Sequence, residues 1–168
     1  MGYAYKIVAS PVGDLKLVAS EKGLVAVLWP NDNPAHVKLL APTENTEHPM
    51  LVEVARQLNE YFAGRRHDFD LPLNPLGSER ARRLWRLLAE IPYGQTTTYG
   101  TLARKLGDGI SPRAIGGFVG HNPLSILVPC HRVVGSTGKL TGYAGGLERK
   151  RYLLELEKAI PVAPQSLW

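Results

Sequence analysis

The chain has 168 residues, of which 44% are hydrophobic and 21% are charged, so it is long enough to bury a core and ordinary in composition for a globular protein. Its single cysteine excludes an intramolecular disulfide and a zinc site built from several cysteines, and we expect a reducing, cytoplasmic setting. No apolar run reaches the length of a membrane span, and the first residues do not resemble a signal peptide.

Positive charge is concentrated in the second half of the chain. Residues 1–74 contain seven Lys or Arg and nine Asp or Glu, a balance of −2. Residues 75–168 contain thirteen Lys or Arg and six Asp or Glu, a balance of +7. This asymmetry favours a polyanionic partner such as nucleic acid, although an ordinary basic surface explains the charge equally well.

The first half predicts a small sheet and one helix. Alternating apolar residues between turn residues indicate an antiparallel meander of three strands, at residues 3–9, 15–19 and 24–29. The polar, proline-containing segment at residues 30–47 predicts a loop. A helix is expected over residues 49–62, followed by an edge strand at residues 69–73.

The second half predicts four helices after a hinge at residues 74–77. Ser78, Thr98 and Ser111 are each suited to cap a helix, and Pro112 fits a first helical turn. The helices are expected at residues 78–91, 98–106, 111–119 and 146–158. We therefore expect two domains, residues 1–74 and 75–168, the second of which contains a helix-turn-helix.

The only cysteine follows an apolar run that predicts a short buried strand at residues 126–128. Pro129 has no N–H with which to continue a ladder, so it ends the strand. Cys130 then precedes His131 and Arg132, and positive charge on such neighbours lowers the pKa of a thiol. A buried structural thiol is the alternative. Successive side chains of a strand point in opposite directions, so we expect a bend after Pro129 and a water that relays a proton to His131.

Three further features bear on function, and the first has both a functional and a structural interpretation. Gly116 and Gly117 weaken their helix, so they indicate close approach of either a nucleic-acid groove or another helix. Glu157 lies at the end of the final helix, where the helix dipole disfavours a carboxylate, and its position alone predicts a solvated surface residue. The glycine-rich loop around Tyr143 is suited to present backbone N–H groups to a ligand.

The Pro-Cys-His-Arg sequence and its surroundings resemble the O6-alkylguanine-DNA alkyltransferases, most strongly over residues 77–158. The resemblance implies an α/β fold with an N-terminal ribonuclease-H-like domain, a small antiparallel sheet plus a helix. It also implies a C-terminal winged-helix-like, mostly helical domain. The motifs that carry it are SPVG at 10–13, YFAG at 61–64, RAIGG at 113–117, GYAGG at 142–146 and the run that ends at Glu157.

The resemblance implies a catalytic group of four residues. Cys130 accepts the alkyl group, His131 removes the thiol proton through a water, and Glu157 orients the imidazole. Asn122 fixes the turn around the active-site strand. No metal or other cofactor is implied.

The resemblance also implies a surface that binds DNA and the damaged base. Arg113 enters the base stack where the nucleotide is extruded, and Tyr99 promotes this flipping. The loop at Tyr143 and Ala144 covers the guanine and presents a backbone N–H to its O6 atom, while the carbonyls of Cys130 and Val133 receive the exocyclic amine. The other expected contacts are Ser111, Pro112, Gly116 and Lys150.

The implied reaction is direct reversal of damage in duplex DNA. The thiolate attacks the alkyl carbon of O6-alkylguanine, with O4-alkylthymine as a second candidate, after the nucleotide is flipped from the minor-groove side. A thioether has no easy leaving group and the chain has no second thiol, so each molecule reacts once. The protein is expected to be a monomer in solution. The sequence departs from the usual family pattern at three places. The departure at residues 80–81 is expected to alter the domain junction, and that at residues 118–119 to alter the contacts with the DNA groove. Ser125 is expected to alter the width of the pocket.

Three other functions remain compatible with the sequence. A lesion-binding protein without chemistry and a helix-turn-helix regulator would both bind DNA without using Cys130. A Cys-His hydrolase is disfavoured, because adjacent Cys130 and His131 side chains do not form the direct pair that such enzymes use.

Overall fold

A computed structural model describes residues 2–30 and 41–161. Within these residues, no helix has both the length and the apolar character that a membrane crossing requires. The strands are β1 (Ala4–Val8), β2 (Leu15–Ser20), β3 (Gly23–Leu28), β4 (Thr43–Glu44), β5 (Thr97–Thr98) and β6 (Val133–Val134). The helices are α1 (Pro49–Phe62), α2 (Glu79–Ala89), α3 (Tyr99–Leu106), α4 (Pro112–Gly120) and α5 (Leu147–Leu156), with a 3-10 helix at Cys130–Arg132.

The N-terminal sheet has the strand order β3-β2-β1-β4. The predicted antiparallel meander of β1, β2 and β3 is confirmed. β4 pairs parallel to β1, so a short strand lies inside the segment for which a loop was expected. The expected edge strand at residues 69–73 is reduced to one bridge between Leu73 and Leu24.

β3 is buried along its whole length and connects the sheet to the rest of the protein. Leu24 and Val27 belong to the main core, whereas Val25 packs in a smaller cluster on the other face of the sheet. The backbone N–H of Val27 donates to the carbonyl of Pro123 at 2.8 Å. The sheet is thereby hydrogen-bonded to the segment that leads to Cys130.

The predicted helix starts of the second half are confirmed. Ser78, Thr98 and Ser111 each accept a hydrogen bond from the backbone N–H three residues further on, at 3.1 Å. α3 packs against α4, and α2 packs against both. β5 and β6 form a parallel pair, and α5 ends with Glu157 as its C-terminal cap. β6 directly follows the 3-10 helix that carries Cys130, and α5 packs against that helix.

The expected strand at residues 126–128 is wrong, although its expected burial is right. The segment is a tight turn, in which the N–H of Val128 donates to the carbonyl of Leu124 at 2.9 Å. Ile126 has a φ of 74°, which is unusual for a β-branched residue. The bend expected after Pro129 is present as the 3-10 helix that begins at Cys130.

Candidate active site

Cys130 is buried at the start of the 3-10 helix, with 3% of its surface exposed. The turn is closed by the N–H of Arg132, which donates to the carbonyl of Pro129 at 3.0 Å. Burial raises the pKa of the Cys130 thiol, while a hydrogen bond from Asn122 and the charge of Lys150 act in the opposite direction. The resting thiol is therefore protonated at neutral pH, and its reaction requires a base.

Glu157 is the centre of a buried group that we call the carboxylate network: Tyr61, His131, Arg132 and Glu157. Its Oε2 atom accepts hydrogen bonds from the Tyr61 hydroxyl at 2.5 Å and from Nε2 of His131 at 2.8 Å. Arg132 donates from Nε to Oε1 at 2.8 Å and from Nη2 to Oε2 at 3.0 Å. The expectation of a solvated surface glutamate is wrong, because the end of α5 is buried against α1 and the 3-10 helix.

The carboxylate network fixes which of its members is charged. Burial alone would raise the pKa of Glu157, but the hydrogen bonds from His131 and Arg132 and the positive charge of Arg132 lower it to about 2. Burial lowers the pKa of His131, against the opposing attraction of Glu157. An ionised carboxylate can only accept hydrogen bonds, so Nε2 of the neutral imidazole carries the proton and Nδ1 holds a lone pair.

Nδ1 of His131 is buried and has no hydrogen-bond partner among the described residues. A buried acceptor without a partner is costly, and such atoms occur where a water or a substrate proton is to be received. His131 is thus a neutral base whose ring is oriented through one nitrogen while the other remains available.

Asn122 spans the turn that precedes Cys130. It is buried, its Nδ2 donates to the carbonyl of Val128 at 2.8 Å, and its Oδ1 accepts from the N–H of Leu124 at 3.0 Å. These two bonds hold the turn around Ile126 and replace the ladder that a strand would have made.

The loop that follows β6 covers the thiol. Tyr143 and Ala144 are half-buried in it, and the Tyr143 hydroxyl is buried next to the Cys130 thiol and Ser125. Burial raises the pKa of Tyr143 well above its usual value. This hydroxyl has no close hydrogen-bond partner among the residues described. Like Nδ1 of His131, it is therefore a buried polar group near the thiol that can still form a hydrogen bond.

Lys150 joins this loop to α3. Its side chain is buried, and Nζ donates to the carbonyl of Thr141 at 2.9 Å. The Thr141 hydroxyl in turn donates to the Tyr99 hydroxyl at 3.1 Å. Burial lowers the pKa of Lys150 to about 8, although Cys130 attracts its charge. A buried cation therefore lies close enough to the thiol to favour its ionised form.

The exposed face at the start of α4, which we call the α4 surface, consists of Ser111, Pro112, Arg113, Ala114 and Gly117. Arg113 forms no hydrogen bond or ion pair with the described residues. Gly116 lies next to Tyr99, since a Cβ at this position would be 3.8 Å from the ring, whereas Gly117 faces open space.

Phe118 and Val119, the two residues expected to alter the contacts with the DNA groove, differ in their burial. Val119 is buried in the core and does not face a groove, so that expectation is wrong for it. Phe118 is half-buried, and its carbonyl accepts from Nε1 of Trp85 at 3.2 Å. Val133 is buried in β6, where it pairs with Thr97, and its N–H donates to the carbonyl of Cys130.

Sequence reasoning missed three residues that contact the site. Tyr61 contacts Glu157 across 96 positions of the chain, and Trp29 contacts Ser125 across another 96. Arg132 was visible as part of Pro-Cys-His-Arg, but its role as the ion-pair partner of Glu157 was not. In the part of the chain that the structure describes, no three His, Cys, Asp or Glu side chains are grouped as metal ligands.

Two family models match the chain. One describes the DNA-binding domain of 6-O-methylguanine DNA methyltransferase and matches residues 79–159. The other describes the ribonuclease-like domain of the same family and matches residues 3–75. Together they confirm the expected fold class, a small N-terminal sheet domain followed by a mostly helical domain.

Individual relatives match over nearly the full chain. The methylated-DNA–protein-cysteine methyltransferase of Methanosarcina acetivorans is 44% identical over 91% of this chain and 97% of its own. That of Mycolicibacterium paratuberculosis is 44% identical over 98% of both. The crystal structure of Mycobacterium tuberculosis O6-methylguanine methyltransferase has a TM-score of 0.82 at 40% identity over 98% of both chains. A crystal structure of Mycobacterium tuberculosis OGT in complex with DNA has a TM-score of 0.83 at 40% identity over 95% of this chain and 94% of that one.

Proposed function

Because the chain belongs to the 6-O-methylguanine DNA methyltransferase family, we propose that it repairs DNA by transferring the alkyl group of O6-alkylguanine to Cys130. The observation that carries this proposal is an oriented base at the residue that follows Cys130. His131 is neutral and oriented by Glu157, and its Nδ1 atom is buried without a partner.

Deprotonation of the thiol is the first step. The thiol proton passes through a water to Nδ1 of His131, and the resulting imidazolium is stabilised by Glu157 through Nε2–H. Lys150, the Tyr143 hydroxyl and Asn122 lower the free energy of the thiolate and offset part of the cost of burial, while His131 takes up the proton that the thiol loses.

Alkyl transfer is the second step. The thiolate attacks the alkyl carbon in line, the S–C bond forms as the C–O6 bond breaks, and the electron pair of that bond leaves with guanine. Guanine gains one proton, which balances the proton lost by the thiol. The product is a thioether on the only cysteine of the chain, so the reaction is irreversible and stoichiometric.

Recognition of the damaged nucleotide is proposed for the α4 surface. A base inside a duplex cannot reach a buried thiol, so it must be flipped out of the stack. Arg113 is exposed and uncommitted, and the small residues around it allow close approach to a minor groove. Ser111, Pro112 and Gly116 would contact the DNA backbone, and Tyr99 would act beside the extruded nucleotide. α3 and α4 would then serve as a helix-turn-helix that docks on the DNA.

The loop at Tyr143 and Ala144 is proposed to cover the flipped guanine, with a backbone N–H directed at its O6 atom. The carbonyls of Cys130 and Val133 would receive the exocyclic amine. The half-burial of the loop directly over the thiol supports this role. O4-alkylthymine is a second proposed substrate, because it presents an alkoxy carbon to the same thiol.

A labelled-alkyl assay tests the proposal. Duplex DNA with one O6-methylguanine that carries a labelled methyl group is incubated with the wild type, Cys130→Ala and Cys130→Ser. We expect label on the wild type at one per chain, no label on either variant, and DNA binding by all three. Label on Cys130→Ala, or none on a wild type that binds the duplex, would contradict the assignment. A matched duplex with O4-methylthymine tests the second substrate.

A further inference from the structure

Trp29 of the N-terminal half lies behind the loop that covers Cys130. It follows β3, only 3% of its surface is exposed, and its ring makes an edge contact with Tyr143, with 5.8 Å between the ring centroids. Its Nε1 donates to the Ser125 hydroxyl at 3.0 Å. Trp29 therefore contacts the covering loop and the turn before Cys130 at the same time.

The contact between Trp29 and the loop is close. A Cβ placed on Gly145 would be 2.7 Å from Cε2 of Trp29 and 2.9 Å from the Tyr143 ring, so only glycine fits at this position. Gly145 has no left-handed backbone angle that would demand glycine for another reason. Its lack of a side chain is therefore explained by the indole behind it.

Trp29 is itself held in place. The guanidinium of Arg149 lies 5.3 Å from the centre of the indole, and its Nε donates to the carbonyl of Val12 at 2.7 Å. Nη1 of the same arginine donates to the carbonyl of Gly145 at 3.2 Å. Arg149 of α5 thus connects the indole to the turn between β1 and β2 and to the loop, and the loop cannot move back without displacing the indole.

We infer that Trp29 is a specificity-determining residue, which sets how large an alkyl group the site accepts by limiting the retreat of Tyr143 and Gly145. This inference rests on the proposed alkyl transfer to Cys130. The alkyl group must lie between Cys130 and its surroundings, and the Tyr143 hydroxyl lies beside both the thiol and Ser125. Because Trp29 contacts Tyr143 and Ser125, its size and its hydrogen bond determine the space that remains.

The test compares two adducts in one DNA context. Duplexes that carry O6-methylguanine or O6-benzylguanine at the same position are reacted with each protein, and the ratio of the benzyl rate to the methyl rate is measured. DNA binding contributes equally to both rates and cancels in the ratio. Apolar pockets discriminate by roughly tenfold or more for each methylene, so a change in pocket depth is measurable.

Trp29→Phe shortens the ring and removes the donor to Ser125, so we expect the ratio to rise by about fivefold or more. Ser125→Ala removes only the hydrogen bond and keeps the indole, and it should raise the ratio less. Val25→Ala, a buried change on the other face of β3, is the control for general destabilisation and should leave the ratio unchanged.

The opposite change gives a second experiment. Gly145→Ala introduces the Cβ that meets Trp29, pushes the loop towards the thiol and should lower the ratio. In the Trp29→Phe background Gly145→Ala should lower the ratio much less than it does in the wild type, since the two residues are in contact and their effects are coupled.

An unchanged ratio in Trp29→Phe, an equal change in Val25→Ala, or additive effects in the double variant would overturn the inference. A wild type that transfers neither group would instead refute the proposed function. Methyl transfer by the wild type without any effect of Trp29 would refute this inference alone.

Discussion

The carboxylate network and the α4 surface differ in how completely their polar groups are satisfied within the protein. Around Glu157, three side chains donate four hydrogen bonds to one buried carboxylate. On the α4 surface, Arg113 is exposed and makes no hydrogen bond or ion pair with the described residues. The groups proposed for the chemistry are arranged before any DNA binds, whereas those proposed for recognition would obtain their partners from DNA.

This difference has a physical reason. Proton transfer requires an imidazole with one tautomer and one orientation, and a buried carboxylate in a network provides both without reorganisation. Contact with a phosphate backbone requires side chains that are free to move and can exchange counterions for phosphates. Changes in the network should therefore affect chemistry on any substrate, and changes on the α4 surface should affect duplex DNA alone.

Glu157→Gln should have the largest effect. The amide cannot stabilise an imidazolium, so we expect alkyl transfer to slow by about a hundredfold or more, on duplex DNA and on free O6-benzylguanine alike. The variant also leaves the Arg132 charge buried without its counterion, so folding is checked by circular dichroism before the rates are measured.

Glu155→Gln on the same helix is the matched control, because it removes an equal charge from a partly exposed position. A near-normal transfer rate in Glu157→Gln would contradict the role of the carboxylate network. Equal losses in the two variants would contradict it as well.

Arg113→Ala should impair the reaction with duplex DNA and leave the chemistry itself intact. We expect repair of duplex DNA to fall by about tenfold or more, since the arginine no longer compensates the cost of unstacking the damaged base. Reaction with free O6-benzylguanine should be unchanged. Arg86→Ala, an exposed position on α2, loses the same charge and should retain most of the duplex activity. Equal losses on both substrates would count against a flipping role for Arg113.

Acid should destabilise the protein through the carboxylate network. The pKa of Glu157 is lowered from 4.5 to about 2, so the unfolded chain binds a proton that the folded chain rejects. The stabilisation is present above pH 4.5 and is lost as the pH falls towards 2. The lowered pKa of His131 acts in the same direction below its ordinary value of 6.5.

Urea unfolding at a series of pH values measures this dependence. The free energy of unfolding of the wild type should decrease steadily on acidification, and the part between pH 4.5 and about 2 should be smaller in Glu157→Gln. The same slope in both proteins would show that another carboxylate is responsible.

Tyr61→Phe should have a smaller effect, which is on the pH dependence of alkyl transfer. The phenol donates to the same oxygen that receives His131, so its removal leaves more charge on that oxygen for the imidazolium. The pKa of His131 should rise, and the acid limb of the pH profile for transfer should move to higher pH. Tyr93→Phe, which loses a hydroxyl bonded only to the carbonyl of Leu156, is the control. A uniform loss of rate without a shift would indicate a merely structural role.

Ser111→Ala should have the smallest effect. It removes the cap from the start of α4 and should cost about 1 kcal/mol of stability, whereas Ser111→Asn keeps a capping oxygen and should cost much less. Both are measured by thermal unfolding, and neither should change the reaction with free O6-benzylguanine. A large loss of that reaction would show that the α4 surface and the thiol are more tightly coupled than proposed.

The sequence predicted the local structure well wherever a local signal existed. The start and end of α1 and the caps at Ser78, Thr98 and Ser111 follow from apolar periodicity and capping residues, which act over a few positions. The turn at residues 126–128 was missed because β-branched residues favour strands. Two hydrogen bonds of the Asn122 side chain, one donated and one accepted, outweigh that preference and hold Ile126 at a positive φ.

The candidate site was predictable only where the chain itself brings residues together. Cys130 and His131 are adjacent, so their association needs no knowledge of the fold. The buried contact of Tyr61 with Glu157 depends on how α1 and α5 pack, and no local pattern encodes it. Glu157 was therefore expected on the surface from position alone, and only the family resemblance indicated its contact with His131.

The central claim is that Cys130 accepts one alkyl group irreversibly, and intact-protein mass spectrometry tests it most directly. The protein is incubated with excess duplex DNA that bears one O6-methylguanine, and the product is then digested and mapped. We predict that the mass rises by one methylene group, saturates at one per chain and is located on the peptide that contains Cys130. No change in mass while the lesion is bound, or a methyl group on any other residue, would contradict the account.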